Sequence, residues 1–315
     1  MIQQILVVAP VNDAHKEQLQ AAAPAQAQIV YSTYKTATSE QIAAADVIFG
    51  NLSPAQLQAA KHLKWLQLNS AGADVYTPAG VLPAGCLLTT VVGAYGLTVS
   101  EHTIAMLMSM NRKLPQYYQN QQQALWRSRG AVKSIEGATI LILGAGNIGC
   151  DIARKVKALG AYTIGTRRAG AQKPDCLDEL YTLDELDGLL PRADDVIICL
   201  PDTPQTQGLF NARRLALMKP DATLVNIGRG PIVDTNALMD ALEREGIGGA
   251  CLDVTDPEPL PAEHPLWRCP NVLITPHVAG KFYLPETMNR IVAIACENLQ
   301  KYAKGKLLRN LVSLA

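Results

Sequence analysis

The sequence predicts an α/β protein of two domains, each a doubly wound parallel sheet with helices on both faces. Three observations carry this. Short apolar runs alternate with amphipathic stretches, and the alternation stops and restarts near Ala138. The composition is 48% hydrophobic and only 5% aromatic, rich in the Ala, Val, Ile and Leu that suit helices packed on parallel strands. At 315 residues the chain can fill two cores of ordinary size.

From residue 4 to about 92 the runs QILVVAP, AQIVYS, DVIFGN, WLQLNS and LLTTVV have the length of strands, and HKEQLQAAA and SPAQLQAAKHL between them have helical spacing. The opening run reads as a first strand and not a secretion signal, because no basic start or small-residue cleavage site accompanies it. TVSEHTIAMLMSMNRKL follows as a long helix. The glutamine-rich QYYQNQQQALWRSRG after it suits a surface arm, a partner surface or a solvated helix. At Ala138 the alternation restarts with ATILILGAGNIGCDIARKVKALGAYTIGTRR, then ADDVIICLP, ATLVNIGRG, GACLDVTD and NVLITPHVAG, which predict a second sheet. LPETMNRIVAIACENLQKYAKG closes the chain with helical spacing. Crossings near Thr98 and Lys281 then give residues 1–97 with 282–315 as one domain and 98–281 as the other.

Lysine plus arginine equals aspartate plus glutamate at 28 each, so no global field would gather nucleic acid or an anionic membrane. No apolar run approaches the length of a membrane span. The seven cysteines are an odd number without CxxC spacing, as expected of reduced core thiols in a cytoplasmic protein. No cluster has metal-ligand spacing, so no metal is expected. A small-molecule partner remains.

The run ATILILGAGNIGCDIARKV joins a strand to a helix through Gly144, Gly146 and Gly149 in GxGxxG spacing. Strand before and helix after mark a dinucleotide-binding turn. Gly144 allows the tight turn, Gly146 lets a pyrophosphate approach the backbone, and Gly149 lets helix and strand pack closely. Free N–H groups at the helix start, at Asn147 and Ile148, would hold the diphosphate. About 20 residues past the first glycine such folds carry an acid for the adenosine ribose hydroxyls. Here that place falls on Arg167. A carboxylate would repel a 2′-phosphate, whereas a guanidinium binds one through paired N–H groups and stacks on adenine. The expected cofactor is NADP(H), with Thr166 and Arg168 as helpers and NAD(H) as the alternative.

Three ionisable residues fall at the ends of later strands, where open α/β sheets bind ligands: Arg229 in NIGRG, Glu258 in DPEPL and His277 in ITPHVAG. Reduction of a 2-oxo acid by hydride transfer needs a proton donor, a fixed cation for the carboxylate, and a group that keeps the donor protonated. Histidine, arginine and glutamate are those parts. His102, in the long helix, is expected to pack or hydrogen-bond, and His15, His62 and His264 lie in polar or loop-like settings.

With these motifs the chain resembles the D-isomer-specific 2-hydroxyacid dehydrogenases, and within them the glyoxylate/hydroxypyruvate reductases. The likeness runs through the SAGAD loop, the VSEHTIAML helix, GAGNIG, CLPDTPQTQGLFN, LALMKPDATLVNIGRGPIVD, LDVTDPEPLP and HPLWRCPNVLITPHVAG, in the family's order. The resemblance implies Rossmann-like and flavodoxin-like domains with the active site in the cleft between them. It implies His277 as acid and base, Glu258 as its partner and Arg229 as the grip on the substrate carboxylate. Amides of Ala71, Gly72 and Ala73 would help hold that carboxylate, Asp253 would contact the nicotinamide carboxamide, and Pro201 would pass the adenosine half of the cofactor. Phe282, Tyr283 and Leu284 are candidates to read the rest of the substrate. A homodimer joined near His102 to Trp126 is implied as well. The alternatives are an NAD-dependent enzyme of the D-lactate, phosphoglycerate or phosphite type, and a non-enzymatic dinucleotide sensor like the C-terminal binding protein corepressors. Formate dehydrogenases carry glutamine where Glu258 stands, which argues against that chemistry.

Overall fold

Each apolar run named above forms a parallel strand. The computed structural model describes residues 2–314, and the chain divides into two compact units, Met1–Tyr95 with Phe282–Ala315, and Gly96–Lys281.

In the first unit, strands β1 (Gln4–Val7), β2 (Gln28–Tyr31), β3 (Val47–Phe49), β4 (Trp65–Gln67) and β5 (Leu87–Thr89) form a sheet in the order β2-β1-β3-β4-β5. This is the flavodoxin-like doubly wound order. Ile5, Leu6, Ile48, Leu66 and Leu88 are fully buried in it, each contributing roughly 1.5–3 kcal/mol through burial. Helices α1 (Asp13–Ala22), α2 (Ser39–Ala44) and α3 (Pro54–Leu57) each start at a capping box, set by Asn12, Thr38 and Ser53. The helix expected over SPAQLQAAKHL lasts only as far as Leu57. Beyond it the chain tightens into short-range turns, Ala59 N–H to Gln56 O and Ala60 N–H to Leu57 O, which bury Ala60 and Leu63. His15 differs from expectation too. It is buried in α1, and its Nε2 lies 2.9 Å from Asn289 Oδ1 on the closing helix Pro285–Ala303.

In the second unit, α4 (Gly96–Asn111) and α5 (Leu114–Gln122) are separated at Lys113, whose φ of +56° ends the first. Strand β6 (Thr139–Leu143), helix α6 (Asn147–Ala158), and strands β7 (Tyr162–Thr166), β8 (Glu179–Tyr181), β9 (Asp195–Ile198), β10 (Thr223–Asn226), β11 (Gly249–Leu252) and β12 (Val272–Ile274) follow. The sheet order is β12-β11-β10-β9-β6-β7-β8. Strand order reverses at β6, so β6 and β9 flank a topological switch point, the place where such sheets take ligands.

Strand β8 has no counterpart in the sequence prediction. It is an edge strand of only three partly buried residues, Glu179, Leu180 and Tyr181, without the apolar run that betrays a buried strand. Its Glu179 is bonded by the Arg192 guanidinium and the Tyr181 and Tyr162 hydroxyls, which hold the carboxyl down at about 2. The glutamine-rich segment is helical to Gln122 and then irregular, with Trp126 fully exposed at 105%.

Candidate active site

The fingerprint turn follows β6 at the switch point. Gly144 N–H donates to Thr166 Oγ1 at 3.2 Å, and Ala145 N–H to Thr166 O at 2.9 Å, which pins the turn to the end of β7. Gly149 is needed for packing, because a Cβ there would collide with Gly144 O. Gly146 is different. Its φ of −78° suits any residue, and a Cβ on it would meet no protein atom within 4 Å. Neither backbone nor packing calls for glycine at that point, so the open space over it suits a ligand. Gly146 caps α6, whose first N–H groups, at Asn147 and Ile148, have no helical partner and attract negative charge. A dinucleotide's diphosphate fits this cradle.

Beside the turn lies a cavity of about 690 Å³, bounded by Gly144, Gly146, Arg167, Arg168, Pro201 and Asp184 among others. Arg167 Nε donates to Ala145 O at 2.6 Å and Nη1 to Gln172 O at 3.2 Å. Those two bonds fix the guanidinium at the cavity wall and leave its other N–H groups unbonded among the described residues. Arg168 is exposed on the same wall. Thr166, expected as a helper, lines the same cavity. It is 1% exposed and its hydroxyl accepts from Gly144, so it supports the turn from beneath. Asp184, which the sequence did not single out because it follows the unpredicted β8, adds a carboxylate to the wall. Cys150 sits one residue past Gly149 and bonds Ala145 O at 3.3 Å. Burial pushes its thiol up to about 11, which makes it a packing residue and not a nucleophile.

The three ionisable residues come from neighbouring strands of the same sheet. In register, Asn226 of β10 faces Leu252 of β11, and Leu252 faces Ile274 of β12. Arg229, Asp253 and His277 follow at that common edge. Arg229 is partly buried, with Nη1 bonded to Gly228 O at 2.7 Å and its carbonyl held by Asn226 Nδ2 at 2.9 Å. The turn after it approaches the next loop so closely that a Cβ on Gly230 would collide with Thr255 O. That loop carries Glu258, whose Oε1 lies 2.6 Å from His277 Nδ1. The imidazole is about half exposed, and its Nε2 has no partner among the described residues. His277 itself has φ +52°, a left-handed conformation that costs a residue with a Cβ roughly 1–2 kcal/mol.

Asp253, expected at the nicotinamide carboxamide, is also bonded within the protein. It is 3% exposed, and its carboxylate accepts from Thr275 Oγ1 at 2.6 Å, Val278 N–H at 2.9 Å and Ala279 N–H at 3.1 Å. It shapes the turn that carries His277. In the first unit, Ser70 Oγ donates to Gly72 O at 2.8 Å and Tyr95 Oη to Asn69 O at 2.5 Å, which shapes the loop of Ala71, Gly72 and Ala73. The N–H groups of those three residues have no partner among the described residues. Phe282 packs on Tyr95 with ring centroids 6.4 Å apart, while Tyr283 is exposed.

Residues 104–279 match the family model for the D-isomer specific 2-hydroxyacid dehydrogenase NAD binding domain. The chain belongs to that family. It is 32% identical over 265 residues to glyoxylate/hydroxypyruvate reductase B of Pectobacterium carotovorum, covering 82% of this chain and 81% of the relative. A D-isomer specific 2-hydroxyacid dehydrogenase family protein from Aeromonas salmonicida has the same fold, with 33% identity, a TM-score of 0.88 and full coverage of both chains. The NADPH-dependent glyoxylate/hydroxypyruvate reductase of Sinorhizobium meliloti, solved with NADP and sulfate, is 25% identical with a TM-score of 0.82, over 99% of this chain and 98% of that one. This 2-hydroxyacid dehydrogenase is therefore an NAD(P)-dependent oxidoreductase of small 2-hydroxy or 2-oxo acids.

Sequence reasoning missed Thr275, the partner of His102, which was itself expected to pack or hydrogen-bond. His102 Nε2 lies 3.0 Å from Thr275 Oγ1, and Thr275 in turn bonds Asp253. A threonine in a strand end and a histidine in a packed helix carry no spacing signal, and only the fold brings them together.

Proposed function

We propose that this dehydrogenase is an NADP(H)-preferring reductase of small 2-oxo acids, glyoxylate or hydroxypyruvate foremost, yielding D-2-hydroxy acids. The observation that carries the reading is Arg167, anchored by two bonds at the end of β7 with free N–H groups on the cavity wall. A guanidinium at the ribose position suits a 2′-phosphate, and Arg168 adds a second positive charge. The names of the Pectobacterium and Sinorhizobium relatives point to the same substrates.

When bound, the reduced nicotinamide supplies the hydride. Arg229 grips the substrate carboxylate and polarises the carbonyl, which lowers the entropic cost of aligning the reacting carbon. Amides of Ala71, Gly72 and Ala73 help hold the carboxylate, and Pro201 lines the adenosine side. Glu258 bonds Nδ1 of His277, which fixes the ring and turns Nε2 outward. His277 then gives its Nε2 proton to the carbonyl oxygen in reduction and takes it back in oxidation. All seven cysteines are unpaired, which suits a reducing cytoplasm.

The test is loss of NADPH absorbance with glyoxylate, hydroxypyruvate and bulkier 2-oxo acids. Turnover of the small acids is expected, and no turnover of any acid by protein that still binds NADPH would contradict the reading. The same proposal includes a homodimer through the segment from His102 to Trp126, where Leu114, Tyr118, Leu125 and Trp126 are exposed together. Light scattering should give a dimer for the wild type and a shift toward monomer for Trp126→Ala; a monomeric wild type would contradict it.

A further inference from the structure

His277 holds a left-handed backbone, φ +52°, which a residue with a Cβ keeps only when its surroundings impose it. Those surroundings are hydrogen bonds. His277 N–H donates to Asp253 O at 2.7 Å and to Thr275 O at 3.0 Å, while Val278 and Ala279 N–H donate to the Asp253 carboxylate. The carboxylate is held in turn by Thr275 Oγ1 at 2.6 Å. Behind Thr275 stands His102 of α4, its Nε2 3.0 Å from Thr275 Oγ1 and 3.7 Å from Asp253 Oδ1.

The direction of each bond follows from the protons available. Thr275 has one hydroxyl proton. It goes to the carboxylate at 2.6 Å rather than to Met106 Sδ at 3.8 Å, a weak acceptor. The threonine oxygen therefore accepts from His102, and His102 carries a proton on Nε2.

We propose that His102 and Thr275 are positioning residues for proton transfer. The chain from His102 Nε2–H to Thr275 Oγ–H, to the Asp253 carboxylate, to the amides of residues 278 and 279 locks the turn that aims the His277 ring. No proton moves along it to the substrate. The inference rests on the reading of His277 as the acid.

The experiment compares variants that break the chain, His102→Leu and Thr275→Val, with variants that keep it, His102→Gln and Thr275→Ser. Glutamine presents an amide N–H near the place of Nε2, and serine keeps the hydroxyl. The breaking variants should lose about tenfold in kcat with glyoxylate, as misaimed catalytic groups do, while the Kd for NADPH stays within about twofold. Because the two residues act in series, the double variant should be no slower than the worse single one. Without any cofactor, amide hydrogen exchange at Val278 and Ala279 should quicken in the breaking variants and return to normal in the keeping ones. Should His102→Leu fail to fold, His102→Asn decides: its shorter amide cannot reach Thr275, so kcat must fall where His102→Gln keeps it. Full kcat in the breaking variants, multiplied losses in the double, or a matching loss of NADPH affinity would overturn the proposal. His277→Ala separates the two claims, since an acid of this kind accounts for about 100-fold or more of turnover. If His277→Ala stays active, the acid reading fails; if it is inactive while His102→Leu is not, only the positioning role fails.

Discussion

The turn after β6 and the turn after β12 leave the same sheet, and each needs a residue at positive φ. After β6 that residue is Gly144, at +89°. After β12 it is His277, at +52°, a residue whose side chain the proposed chemistry requires. The first turn takes its shape from local sequence, because glycine adopts the conformation without steric cost. The second borrows its shape from Asp253, which comes from the adjoining strand end, and through Thr275 from His102 on α4. A ligand-binding turn can be built from backbone alone, whereas one that must present an imidazole is held from outside.

The comparison can be broken at either turn. The largest effect is expected at Gly149, where Ala would put a Cβ into Gly144 O. Urea unfolding should show a loss of about 2 kcal/mol, together with weaker NADPH binding; unchanged stability would mean that the turn is not tightly packed. A smaller effect sharpens the contrast at the other turn. His277→Gly should be more stable than His277→Ala by about 1 kcal/mol, because only glycine sheds the left-handed strain. Equal unfolding midpoints for the two variants would show that the turn is not held at positive φ.

What the sequence made legible follows the same division. Strands β6, β9, β10 and β11 are buried on both faces and read as continuous apolar runs. β8 lies at the edge with Glu179 and Tyr181 half in solvent, so no periodicity marked it. The GxGxxG turn and the three ionisable residues stood out because each follows a legible strand. The His277–Glu258 contact joins residues whose pairing came from the family likeness, and the structure adds the 2.6 Å distance. Thr166 and Asp253 were recognised as site candidates, but their hydrogen bonds within the protein were not legible, because the partners are distant in sequence. Thr166 answers to Gly144 and Asp253 to residues 275–279. Thr275 as the partner of His102 stayed hidden for that reason, and Asp184 because its strand was not seen.

The proposed preference for NADP(H) rests chiefly on Arg167, with Arg168 as a second positive charge on the cavity wall. The most direct measurement is kcat/KM with NADPH and with NADH, using glyoxylate, for the wild type and for Arg167→Asp. The wild type should favour NADPH and the variant NADH, since a carboxylate at that place repels a 2′-phosphate and accepts from ribose hydroxyls. Equal use of both cofactors by the wild type, or a preference that survives the substitution, would contradict it.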